Sequence, residues 1–215
     1  MGFFEKLNGA YFAFLAFIAT GAGLLIALML YLPFNSSYSI FTNYSCDLQA
    51  GPIGAQISYS TGIVLLAIFS IFLMLYITRD LKKNDIDDKL TLIYIITGII
   101  GQIWLIIAGI FPLDPAITLA YEIHRISSSV FFGFMAFNFI WLGYLQYTNT
   151  EYSKLIAIIA ILAGIFSGLS FGGFIIQEYT PMARNALGYL SVWTLYTFII
   201  LWLIGQGIYF WKKGK

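Results

Sequence analysis

Few side chains in this sequence can do chemistry, and most of them crowd into one stretch. Asp114, Glu122, His124 (the only histidine) and Arg125 fall within twelve residues, and Ser127, Ser128 and Ser129 follow at once. Carboxylates beside an imidazole can act as acid and base or hold a divalent cation. Arg125, with Arg184 further on, can grip a lipid phosphate. On a helix His124 and Ser128 share a face, and Glu122 stands where it can pair with Arg125. Ser45, Cys46 and Asp47 form an earlier polar group, and Glu178 lies close to Arg184. The expected polar cluster is therefore Asp47, Asp114, Glu122, His124, Arg125, Ser128 and Arg184. The competing reading is that polar residues at a membrane surface are simply solvated. One cysteine and one histidine exclude a Cys/His zinc site and a bis-histidine haem. No metal is assigned, no residue pattern names a cofactor, and Cys46 is a poor candidate nucleophile.

The elements that must position these residues are apolar. The chain has 215 residues, 60 % hydrophobic and 10 % charged, with a mean hydropathy of +0.86. Soluble domains carry about 25 % charged residues, so the solvent for most of this surface is lipid. A bilayer core takes about 20 apolar residues per helix. Six windows qualify, 10–32, 57–77, 90–111, 127–147, 155–176 and 186–210, and none of the 21 charged residues falls inside one. The expectation is an all-α polytopic bundle of six transmembrane helices, one membrane domain over 1–215. The first apolar run is too long for the core of a cleaved signal peptide. No basic stripe suggests nucleic acid; the bilayer is the expected partner.

Lysines and arginines gather on the cytoplasmic side of short loops. Nine (Lys6, Arg79, Lys82, Lys83, Lys89, Lys154, Lys212, Lys213, Lys215) fall on one side and only Arg125 and Arg184 on the other. Both termini are thus expected in the cytoplasm of a multi-pass cell-membrane protein. All five prolines lie on the outer side, as do two glycosylation sequons, at Asn35 and Asn43, in the outer loop 33–56. A loop of that length tends to be functional or disordered. On the inner side, 79–89 balances four basic against four acidic residues and reads as a solvated turn.

Within the helices, Gly164, Gly168 and Gly172 recur at spacing four, a pattern for close packing inside the molecule or along a homodimer seam. Gln102, Asn138, Thr194, Thr197 and Gln206 are the deep polar residues, expected to hydrogen-bond between helices rather than line a pore. Proton-coupled transporters and voltage sensors carry charge within the bilayer, and here there is none. Asp114-Pro115 is a helix-start signal. A helix over 115–147 would be about 50 Å long, so its 115–126 extension is expected to project or lie along the interface.

Tyr38-Ser39, then Asn43 through Leu48, and later Gly109-Ile110-Phe111-Pro112-Leu113-Asp114 with His124, resemble the six-helix membrane family called domain of unknown function 998. The family's first-loop pattern is Tyr-Ser followed by Ser-Asp-Leu-Gly, and its later one is Gly-x-Phe-Pro-x-Asp. The likeness covers about residues 10–147. Cys46 stands where the family has Ser, and Gln49 where it has Gly. The resemblance implies six helices and marks Asp47, Asp114 and His124; it implies no activity. A fainter likeness to a six-helix group that includes GPI-lipid remodelling proteins points towards lipids. Three functions remain open: binding or processing of a lipid head group or envelope component at the outer face, an accessory subunit of a membrane complex, and a transporter of small neutral solutes.

Overall fold

The computed structural model describes residues 8–113, 117–179 and 186–214. Six helices account for most of them: α1 (Gly9–Tyr31), α2 (Ile53–Lys83), α3 (Asp88–Ile110), α4 (Thr118–Thr148), α5 (Lys154–Tyr179) and α6 (Ala186–Lys213). A short 3-10 helix, Ser45–Ala50, lies in the α1–α2 loop, and no strand occurs among the described residues. Every helix is long and apolar enough to cross a membrane; even the 23 residues of α1 reach about 35 Å at 1.5 Å per residue. Leu25, Met29, Ile53 and Leu119 are among the many large apolar side chains left exposed, as lipid rather than water would require.

Each helix packs against the next, and α1 returns to pack against α6, closing a ring. With six crossings, both chain ends and the α2–α3 and α4–α5 turns share one end, the termini end. The α1–α2 loop and the α3–α4 connection share the other, the loop end. Asn8 starts α1 by accepting from Ala10 N at 2.9 Å, and its amide nitrogen donates to Phe210 O at 3.1 Å, which helps close the ring.

Small residues set the tightest helix approaches. A Cβ on Gly23 would lie 2.7 Å from Gly62 Cα, so α1 and α2 touch backbone to backbone. Of the glycine stripe on α5, Gly164 is pressed against α4, where a Cβ would meet Ala136 O at 2.8 Å. Gly168 has ordinary contact only, and Gly172 faces open space. The deep amides tie helices together. Asn138 Nδ2 donates to Tyr94 O (2.6 Å) and Thr97 Oγ1 (3.0 Å), and Gln206 Nε2 donates to Gln146 Oε1 (3.1 Å). Gln102 Nε2 meets Met135 Sδ at 3.6 Å. Thr197 bonds only to Trp193 O of its own helix.

One stretch differs from its reading as a solvated segment. At the termini end, Asp80 of the 79–89 turn is 6 % exposed. Its carboxylate accepts from Tyr152 Oη (2.6 Å), Tyr209 Oη (3.0 Å) and Lys213 Nζ (2.7 Å). The charge balance of this segment hid a buried carboxylate, because α2 continues past the apolar window and carries Asp80 inwards. At the loop end, residues 32–52 fold into the mouth of the ring. Tyr44 stacks on Phe174 with ring centroids 4.6 Å apart, Trp193 Nε1 donates to Asn43 O at 3.0 Å, and Leu48 is fully buried. Nor does the first turn of α4 stand clear of the bundle, since Ala120 and His124 are buried. The expected helix start at Asp114-Pro115 lies outside the described residues; α4 is described from Thr118.

Candidate functional site

The site begins with two prolines. An α-helical carbonyl accepts from the N–H four residues on, and proline has none. Pro112 and Pro115 stand four residues after Ala108 and Phe111, so neither carbonyl can be served by a continuing helix. His124 takes their place as donor: its Nδ1 lies 2.9 Å from Ala108 O and 2.9 Å from Phe111 O. Carbonyl oxygens only accept, so Nδ1 carries the proton. In the neutral ring Nε2 is then left with a lone pair. It meets Ser128 Oγ at 3.2 Å, one turn along the same face of α4, and the hydroxyl donates. The ring is 1 % exposed and Ser128 7 %.

His124 and Ser128 open onto a cavity of about 30 Å³, room for about one water. Tyr59 of α2, Tyr196 of α6, and Ser45 and Cys46 of the 3-10 helix complete its polar wall. Ser45 Oγ lies 3.0 Å from Tyr59 Oη, which lies 2.9 Å from Tyr196 Oη. The three hydroxyls thus form one hydrogen-bonded group on the cavity wall. Among the described residues no carboxylate lines the cavity. Burial, then the neighbouring Asp47 charge, pushes the Cys46 thiol well above its ordinary range, so Cys46 is a protonated wall residue and no ready nucleophile.

The expected cluster is only partly assembled. His124 and Ser128 come together. Asp47 instead turns into its own loop, where Oδ2 accepts from Tyr44 N (3.0 Å) and Asn43 Nδ2 (3.2 Å). Burial raises its pKa, although these two bonds pull the other way. Glu122 and Arg125 pair at 3.3 Å on the surface, an arrangement that contributes at most about 1 kcal/mol. Asp114 and Arg184 lie outside the described residues, as does the side chain of Glu178. Among the described residues no three His, Cys, Asp or Glu side chains gather where they could hold a metal ion. Of the sequon asparagines, Asn43 has its amide engaged by Asp47, while Asn35 Oδ1 accepts from Ser37 N at 3.2 Å and its nitrogen bonds to none of the described residues.

Sequence reasoning missed Tyr59 and Tyr196. They are 137 residues apart, each one tyrosine among 15, and nothing local distinguishes them. Their only signal was a polar atom on a helix face otherwise occupied by apolar residues.

No curated protein and no solved structure gives a significant match to this chain. A family model does match, over residues 17–208, nearly the whole ring from α1 to α6. The chain is a member of the DUF998 family, proteins of unknown function.

Proposed function

We propose that this protein binds the uncharged polar part of a membrane lipid at the loop end, with one carbonyl or hydroxyl group of its ester, glycerol or sugar region in the cavity. One observation carries the reading: polar side chains from four separate segments converge on a single enclosed space between apolar walls. Ligand sites commonly combine a largely apolar wall with a few convergent polar groups. Among the described residues the groups are hydroxyls, a thiol and an imidazole, which suit hydroxyl and carbonyl partners. The cavity also lies at the end of the helices rather than at mid-depth, where a lipid's ester linkage sits. The unequal distribution of lysine and arginine supports an extracytoplasmic loop end in a cell-membrane protein, with the whole chain serving as one membrane domain.

Native mass spectrometry from the source membrane in mild detergent tests this. The expected result is one lipid held at collision energies that strip loosely bound lipids, and lost when Ala108→Phe fills the cavity. Loss of no lipid in that variant would refute the reading. A stoichiometric protein partner without lipid would favour the accessory-subunit reading instead. Uptake of neutral solutes by proteoliposomes would favour transport.

A further inference from the structure

We propose that Ser128 and His124 are a nucleophile and base that transfer the acyl group of a lipid ester onto Ser128 Oγ. The inference rests on the reading of the cavity as a lipid site and names its reaction. An activated serine needs a base within hydrogen-bond reach and a third group that orients the base. Here the base is His124 Nε2, 3.2 Å from Ser128 Oγ. The orienting group is the pair of carbonyls at Ala108 and Phe111, which hold Nδ1–H and fix both the tautomer and the ring plane.

The hydroxyl of Ser128, like that of Ser167, is not returned to the backbone of its own helix. Helical serines and threonines ordinarily return their hydroxyl to a carbonyl one turn back. Thr20, Thr78, Thr97, Ser129 and Ser170 do so. Ser128 instead gives its proton to the imidazole and keeps its lone pairs towards the cavity. The hydroxyls of Ser45, Tyr59 and Tyr196 line the same cavity. They are the oxyanion donors that acyl transfer requires. Phe131, Phe132 and Phe174 keep the surroundings dry.

In the step, Ser128 Oγ bonds to the ester carbon while its proton passes to Nε2. The carbonyl electron pair moves to oxygen, where a hydroxyl of the Ser45, Tyr59 and Tyr196 group donates a hydrogen bond to it. The pair then returns, the bond to the alcohol oxygen breaks, and the leaving alcohol takes the proton from Nε2. Water or a second lipid hydroxyl removes the acyl group by the same path in reverse, restoring Ser128.

The test is treatment of the full-length protein in lipid nanodiscs with an alkyl fluorophosphonate, from which a nucleophilic serine displaces fluoride. Peptide mapping of the wild-type protein should find one adduct, on Ser128. Ser128→Ala should give none, and His124→Gln should react at least tenfold more slowly while both keep the bound lipid seen by native mass spectrometry. No adduct, or an adduct elsewhere, overturns the pair. So does labelling of His124→Gln at the wild-type rate. Retained lipid with no adduct removes the chemistry and leaves the binding site standing. An adduct without retained lipid keeps the pair and removes stable binding. Absence of both removes both.

Discussion

Asp80 is the side chain whose replacement should most clearly expose how the termini end is held. It joins α2 to the α4–α5 turn through Tyr152 and to α6 through Tyr209 and Lys213. A hydrogen bond to a charged group contributes roughly 1.5–3 kcal/mol. The arms are unequal, however. The Lys213 side chain is 39 % exposed, so its ion pair is screened and contributes at most about 1 kcal/mol. Tyr152 is 5 % exposed. Burial and then the Asp80 carboxylate push its phenol far above the ordinary range, so it remains a donor at any working pH. In Asp80→Ala that hydroxyl loses its main partner, keeping only Asn84 Nδ2 at 3.4 Å. The expected losses are about 3 kcal/mol for Asp80→Ala, about 2 for Asp80→Asn and about 1 for Lys213→Ala. Reversible unfolding in mixed detergent micelles, followed by the fluorescence of the five tryptophans, measures all three. A double-mutant cycle of Asp80→Asn with Tyr152→Phe should show coupling of at least about 1 kcal/mol. If Lys213→Ala cost as much as Asp80→Ala, the ion pair and not the buried hydroxyl bond would hold this end. An Asp80→Ala protein within about 0.5 kcal/mol of wild type, the usual range for surface changes, would refute the assignment altogether.

Other substitutions test other links of the argument. Gly62→Ala should cost about 1–3 kcal/mol, because its Cβ would meet Ala19 O and Gly23 Cα at 2.9 Å and backbone cannot step aside. Gly172→Ala, with nothing within 4 Å, should be neutral or gain up to about 1 kcal/mol from helix propensity; the same unfolding assay reads both, and a costly Gly172→Ala would point to a partner across that face. Cys46 should resist maleimide at neutral pH in the folded protein and react fully in SDS, as a mass shift on a gel will show. Asp47 has a folded pKa raised above its unfolded value, so its contribution is best below the unfolded pKa and is lost as pH rises through the folded one. Asp47→Asn should therefore match or exceed wild-type stability at pH 7, and the difference should vanish in acid. If the sequons are used at all, peptide mapping should find glycan on Asn35 and not on Asn43, whose amide nitrogen is taken by Asp47.

Composition alone determined the class of this protein. Six uncharged apolar runs can only be satisfied in lipid as helices, because every backbone group must bond within its own segment. The spacing of His124 and Ser128, and of Glu122 and Arg125, was also legible, since a helix puts such pairs on one face whatever surrounds it. The prolines at 112 and 115 were visible too, but not their consequence: that they orphan two carbonyls which a histidine on the next helix then serves. Tertiary structure decided the rest. The closing of α1 on α6 brings Ser45, Tyr59 and Tyr196 to one cavity, although no local pattern relates them. It decided that Asp47 bonds within its loop instead of joining His124. It decided that Asp80 is buried while its neighbours in the same charged turn, such as Lys82, are exposed. Periodicity reports which residues share a face. Which face meets which, and what is left over to be satisfied there, depends on contacts between residues far apart in the chain.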